Sequence, residues 1–168
     1  MRVEVAQRVR IEGGVLADLY ARHADDALRL AFLLTGNRAT AEDLVHDAFV
    51  RLAGRLLHLR DSRGFNAYLR TTVVNLARSH FRRRGVERRH AERQPPPRPV
   101  EQPDLSGREE MRLALLALPV RQRTAIVLRY YEDLSEAQTA ELMRVRPVAV
   151  KSLVSRGMAT LRQMIRED

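Results

Sequence analysis

The sequence predicts an all-α protein of two small helical domains joined by a flexible linker, and three observations carry that expectation. Leu, Val and Ala recur at three- and four-residue intervals through about residues 15–84 and again through 109–166, the period of amphipathic helices. Aromatic residues make up 5% of the 168 and charged residues 30%, a mixture that suits helix packing better than sheet. Pro95, Pro96, Pro97, Pro99 and Pro103 crowd the window between the periodic segments, where few apolar residues fall and an extended linker is expected. The chain therefore divides into an N-terminal extension over 1–14, a helical domain over 15–90, a Pro-rich linker over 91–108 and a second helical domain over 109–168.

Each element has its own local signal. Leu16, Leu19, Tyr20, Leu28, Ala31 and Phe32 form the apolar stripe of a first helix. Gly36, just after Thr35, supplies the left-handed residue that ends it. Thr40 with Asp43 three residues on predicts a capping box for a second helix. That helix buries Leu44, Val45, Ala48, Phe49 and Leu52, with Glu42, Asp43, His46 and Asp47 on or near its opposite face. The polar break Arg60-Asp-Ser-Arg-Gly64 precedes a third helix from Phe65 to about Arg84, cored by Leu69, Val73, Leu76, Ala77 and Phe81.

In the second segment, MRLALLAL forms a helix that Pro119 stops, and the same proline suits the first turn of the next one. That helix, VRQRTAIVLRYYE, carries Ile126, Val127 and Tyr130 on one side. Ser135 and Gln138 form a further capping box for a short helix to Met143. The last helix begins near Pro147 and buries Val150, Leu153, Val154, Leu161 and Ile165.

Charge narrows the function. A formal net charge of +9, carried almost wholly by Arg, points to a polyanionic partner, unless it is only a solvated surface. With no Cys there are no disulfides, thiolate metal sites or cysteine nucleophiles. The five His are not spaced as metal ligands, and no HExxH, P-loop or GxGxxG occurs, so neither an enzyme nor a cofactor is expected. No apolar run approaches the roughly 20 residues of a membrane span, and the start of the chain is not a signal peptide. A cytoplasmic protein without membrane insertion follows.

Three surfaces stand out. A short capped helix, a three-residue corner at Arg144 to Arg146, and a longer helix with Lys151, Ser152, Ser155, Arg156 and Arg162 exposed have the order of a helix-turn-helix. An ordinary helical hairpin has that order too. Arg144 stands where Gly is favoured, and reaches a left-handed conformation at roughly 1 kcal/mol. The third helix exposes Asn66, Tyr68, Arg70, Asn75, Arg78, Arg82, Arg83 and Arg84, with no acid between Arg70 and Arg84. Amide, ring and guanidinium together can bond and stack on unpaired bases while neutralising phosphate. The acidic face of the second helix would repel DNA and suits a protein partner, or simply its own helix dipole.

Taken together, LAFLLTGNRATAEDLVHDAFVRL, FNAYLRTTVVNLARSHFRRR and LLALPVRQRTAIVLRYYEDLSEAQTAELM…VKSLVSRGMATLR resemble the extracytoplasmic-function (ECF) group of bacterial sigma factors, in the family's order and over about residues 15–166 apart from the linker. The resemblance implies a factor that joins core RNA polymerase and directs it to promoter DNA, often under an anti-sigma partner. It implies that Asp43, His46, Asp47 and Phe49 lie in the face that docks on the polymerase clamp. It implies that Arg60 to Phe65, with Ser62 among them, form a loop capturing an unstacked −10 base, beside Asn66, Tyr68, Asn75, Arg78 and Arg82. It implies that Arg144, Arg146, Val148, Lys151, Ser152, Ser155 and Arg156 serve the −35 element. His46 replaces the family's usual Gln, and Arg144, Arg146, Val148 and Ala149 replace Gly, Ser, Gly and Thr at the reading corner. A stand-alone helix-turn-helix regulator and an RNA-binding basic protein are the alternatives.

Overall fold

In this computed structural model, which describes residues 2–53, 62–90 and 107–166, every regular element is helical. The all-α expectation holds. The helices are α1 (Arg2–Thr35), α2 (Arg38–Ala53), α3 (Ser62–His90), α4 (Gly107–Ala117), α5 (Val120–Ile126), α6 (Glu136–Met143) and α7 (Pro147–Arg166), with a π-helical turn over Val127–Tyr131 continuing α5. Most of the Pro-rich linker, and Arg60, lie outside the described residues. The chain divides into two compact units, Met1–Phe32 with Asn37–Leu76, and Leu33–Gly36 with Ala77–Asp168. The division cuts α1 and α3 rather than the proline window.

In the first unit, α1 buries Leu19, Ala27, Leu30 and Ala31, so the stripe is shifted from the expected one. Tyr20 stays half exposed, its ring tilted over Phe49 at 4.8 Å between centroids. Residues 2–14 lie within α1. Gly36 takes φ 71, the left-handed position expected after Thr35. The cap of α2 is a correction: Asn37, not Thr40, opens the helix, and its side-chain oxygen accepts from the Thr40 amide at 2.9 Å. Asn ranks with the best N-caps, and it lies one residue before Arg38, which places Thr40 inside the first turn. The buried face of α2 is the expected Leu44, Val45, Ala48, Phe49 and Leu52.

α3 starts at Ser62, three residues earlier than the sequence suggested. The loop expected over Arg60 to Phe65 is therefore helical from Ser62 onward. Phe65 is 1% exposed, seated against Phe49 at 5.9 Å and His23 at 5.5 Å. Aromatic contacts at these separations tie α1, α2 and α3 together. Leu69, Val73, Val74 and Leu76 complete that core.

The second unit is built on α7. Leu118, Ile126 and Leu161 form its central cluster, with Ala114, Leu115, Val154 and Met158 against them. Gly157 lets α5 and α7 approach: a Cβ there would meet Ile126 Cδ1 at 2.6 Å and Gln122 Cβ at 3.3 Å. Glu109 and Glu110 occupy the first turn of α4, where they oppose the helix dipole favourably. Arg112 forks onto Glu109, its Nε donating to Oε2 at 2.7 Å, which holds the carboxyl below its ordinary range. Arg123 is 5% exposed, and its Nη1 donates to the Leu116 carbonyl at 2.9 Å, satisfying an orphan acceptor near the end of α4. Burial pushes that guanidinium below its ordinary value.

Two expectations fail in this unit. Tyr130 is 65% exposed, because the π-turn adds a residue to the last turn and rotates it off the buried side, leaving Leu128 fully inside. Ile165 is 55% exposed, one residue from the end of α7, where the stripe has run past its partners.

Candidate functional site

The corner between α6 and α7 is set by two caps. Ser135 accepts from the Gln138 amide at 3.1 Å while Gln138 accepts from the Ser135 amide at 2.9 Å, the capping box expected at the start of α6. At the other end the Arg144 amide donates to Glu141 and the Val145 amide to Ala140, at 3.1 and 3.0 Å. This pair is the Schellman pattern, and Arg144 fills its left-handed position with φ 54 and ψ 50. The Arg146 carbonyl then accepts from the Ala149 and Val150 amides at 2.9 and 3.3 Å, so Arg146 closes the first turn of α7 with its backbone. Pro147 takes the first helical position, where its missing N–H costs nothing.

Along α7 the two faces separate cleanly. Val150, Gly157 and Leu161 are buried, whereas Val148, Lys151, Ser155, Arg156, Ala159 and Arg162 are exposed and Ser152 is half-buried. Steps of about 100° per residue put Val148, Lys151, Ser152, Ser155 and Arg162 in one stripe, with Arg156 at its edge. Arg144 and Arg146 are exposed just before it. All seven residues expected to serve the −35 element therefore lie on or beside one surface. Beside it, Arg129, Tyr130, Glu136, Lys151, Ser155 and Arg162 line an open groove. Arg129 donates there to the Leu134 carbonyl. The sequence reading missed Arg129 and Tyr130, whose orientation depends on the π-turn.

The basic face of α3 is less uniform. Tyr68, Asn75 and Arg82 recur every seven residues and share a stripe, with Tyr68 51% exposed, Arg82 exposed and Asn75 half-buried. Asn66 is exposed but lies about 160° around the helix from Tyr68. Thr71 and Thr72 donate their hydroxyls back to the Ala67 and Tyr68 carbonyls, both at 2.8 Å. Arg78 belongs to the second unit, where its Nη1 donates to the Met143 carbonyl at 3.3 Å. Burial, then the charges of Arg144 and Arg82, hold its guanidinium below its ordinary value. Ser62 opens α3, and Phe65 is sealed in the core, so neither stands in a loop.

On α2, Asp43, His46 and Asp47 are exposed, and Glu42 is paired with Arg38 at 2.8 Å. Val50, 59% exposed, lies on the same face one turn further, an apolar spot in the acidic patch that the sequence reading overlooked. Phe49 is buried beneath that face, not on it. Among the described residues no group of three His, Asp or Glu is arranged to hold a metal ion.

Comparison with known proteins assigns two stretches of the chain to one family. The family model described as sigma-70 region 2 matches residues 19–86, and that described as sigma-70, region 4 matches residues 108–161. An RNA polymerase sigma-E factor of Streptomyces coelicolor is 33% identical over 149 residues, covering 86% of this chain and 82% of that protein. The ECF RNA polymerase sigma factor BldN of the same organism is 30% identical over 175 residues, covering 99% of this chain and 66% of that protein. The solved sigma factor RpoE from Bartonella quintana, in complex with the anti-sigma factor NepR, has the same fold, with a TM-score of 0.66, 23% identity and 98% of each chain covered.

Proposed function

We infer the function from a family membership: the chain belongs to the sigma-70 family, in its ECF group, and directs core RNA polymerase to specific promoters. Its partners are core RNA polymerase and promoter DNA. The observation that carries this reading is the succession, on one chain, of the region 2 match and the region 4 match, the second containing α6 and α7 with their exposed basic stripe. A stand-alone regulator is not favoured, since it has no use for a region 2 module.

The first sigma domain spans about 15–90, the linker 91–108 and the second sigma domain 109–168. Asp43, His46 and Asp47 meet the polymerase, with Val50 adding an apolar contact and Phe49 holding the face from below. Tyr68, Asn75 and Arg82 act on the −10 strand, with Asn66 and Arg78 at the margins. Arg146 reads the −35 duplex, and Lys151 and Arg156 hold its phosphates, helped by the close approach that Ser152 and Ser155 permit. An anti-sigma protein controls the factor, as NepR partners the solved relative. The protein acts by binding rather than by catalysis, and it works in the cytoplasm beside the polymerase. No described helix is long and apolar enough to cross a membrane. The test is transcription: purified protein added to core enzyme is expected to start RNA synthesis at specific promoters, and undetectable association with core at low salt would refute the assignment.

A further inference from the structure

The outward stripe of α7 is polar or small at every position but one. Val148 is 70% exposed, the highest value among the described large apolar side chains. Folding makes little use of it, because the core side of the helix is supplied by Val150, Gly157 and Leu161. A single surface valine is ordinary in itself. This one is the second residue of α7, one turn from Lys151 and Ser152 and directly after the exposed Arg144 and Arg146.

We propose that Val148 reads the C5-methyl group of a pyrimidine in the major groove, an inference that rests on α7 being the duplex-reading helix. Residues at the start of such a helix approach base edges. The methyl at C5 is the one apolar group a base pair offers in that groove, on thymine or on a methylated cytosine. Contact between it and the valine isopropyl group removes both from water. Ser152 and Ser155 are short enough to let the helix settle close to the bases, and the flanking guanidiniums draw a polyanion, not an apolar protein surface. The branched Cβ fixes χ1 in a helix, so the methyl groups are presented with little rotamer freedom left to lose.

The experiment uses the protein bound to core RNA polymerase and a −35 element selected from random sequence by that complex. Each thymine is replaced in turn by uracil, which lacks only the methyl, and each cytosine by 5-methylcytosine. At one thymine, uracil is expected to weaken binding about three- to fivefold, the factor that burial of one methyl supplies. Val148→Ala is expected to lose the same factor on thymine DNA and to be indifferent to uracil. Val148→Thr keeps one branch methyl and part of the discrimination. If uracil is neutral while 5-methylcytosine strengthens wild-type binding and not Val148→Ala, the methyl belongs to a modified cytosine, and the contact stands. Methyl dependence undiminished in Val148→Ala, or no response to either base, overturns the proposal. Helix content by circular dichroism checks that the variants fold. Failure of the duplex-reading assignment looks different, because the complex would then select no −35 sequence at all.

Discussion

Arg144 holds a backbone conformation, φ 54 and ψ 50, that costs a side-chain-bearing residue about 1–2 kcal/mol. Glycine would remove that cost but add freedom to the unfolded chain, about 0.4–1 kcal/mol. Arg144→Gly is therefore expected to stabilise the protein by roughly 0.5–1 kcal/mol, seen as a higher urea midpoint at unchanged slope. The same variant is expected to bind promoter DNA less tightly, because an exposed guanidinium beside α7 is lost. A gain in both properties would show that the arginine serves neither. Tyr68 poses the converse case: at 51% exposure its ring contributes little to the core. Tyr68→Ala is expected to cost about 1–3 kcal/mol in binding a promoter already opened as a bubble, the range for stacking on an unpaired base. Binding to the bubble that survives unchanged would remove Tyr68 from the −10 surface. Both residues were legible in the sequence. Phe65 was not, since an aromatic beside a polar break reads equally as a base platform or as the first core residue of a helix.

At the scale of elements, the α5–α7 crossing depends on Gly157. Gly→Ala inside a helix ordinarily gains about 1 kcal/mol. Here the added Cβ would press on Ile126 Cδ1 at 2.6 Å and on Gln122 Cβ at 3.3 Å. Ile126 is buried and Gln122 Cβ is fixed to its backbone, so overpacking at about 1–3 kcal/mol outweighs the propensity gain. Gly157→Ala is expected to lower stability by roughly 1 kcal/mol in urea unfolding, and a more stable variant would mean that the helices separate freely. The acidic face of α2 is of a different kind, exposed and outside the core. Asp43→Lys with Asp47→Lys is expected to weaken association with core polymerase by about 1–3 kcal/mol through like-charge opposition, while the helix content stays constant. Equal affinity in a pull-down would reduce those carboxylates to solvated surface. The spacing of apolar residues was enough to foresee this face, because α2 keeps strict α-helical period from end to end.

For the whole molecule, a net charge of +9 makes binding to DNA a matter of counterion release. The isolated protein is expected to bind duplex weakly and with steep salt dependence, and core polymerase to add affinity. Lys151→Ala is expected to reduce the salt slope by about one, with sequence preference kept, as measured by binding between low and moderate salt. A slope unchanged by that substitution would take Lys151 off the phosphates.

Periodicity, capping residues and charge are local properties, and the sequence by itself determined what depends on them: the helical class, the Ser135–Gln138 box, the left-handed Gly36 and Arg144, and the two faces of α7. Tertiary structure alone decided where a helix begins when two starts compete, as at Asn37 and Ser62, because the winning start is the one whose apolar residues find partners. It also decided the π-turn over Val127–Tyr131, which trades one regular turn for burial of Leu128 and so turns Tyr130 outward. No spacing rule announces that exchange, since the energy that selects it comes from the packing of other helices.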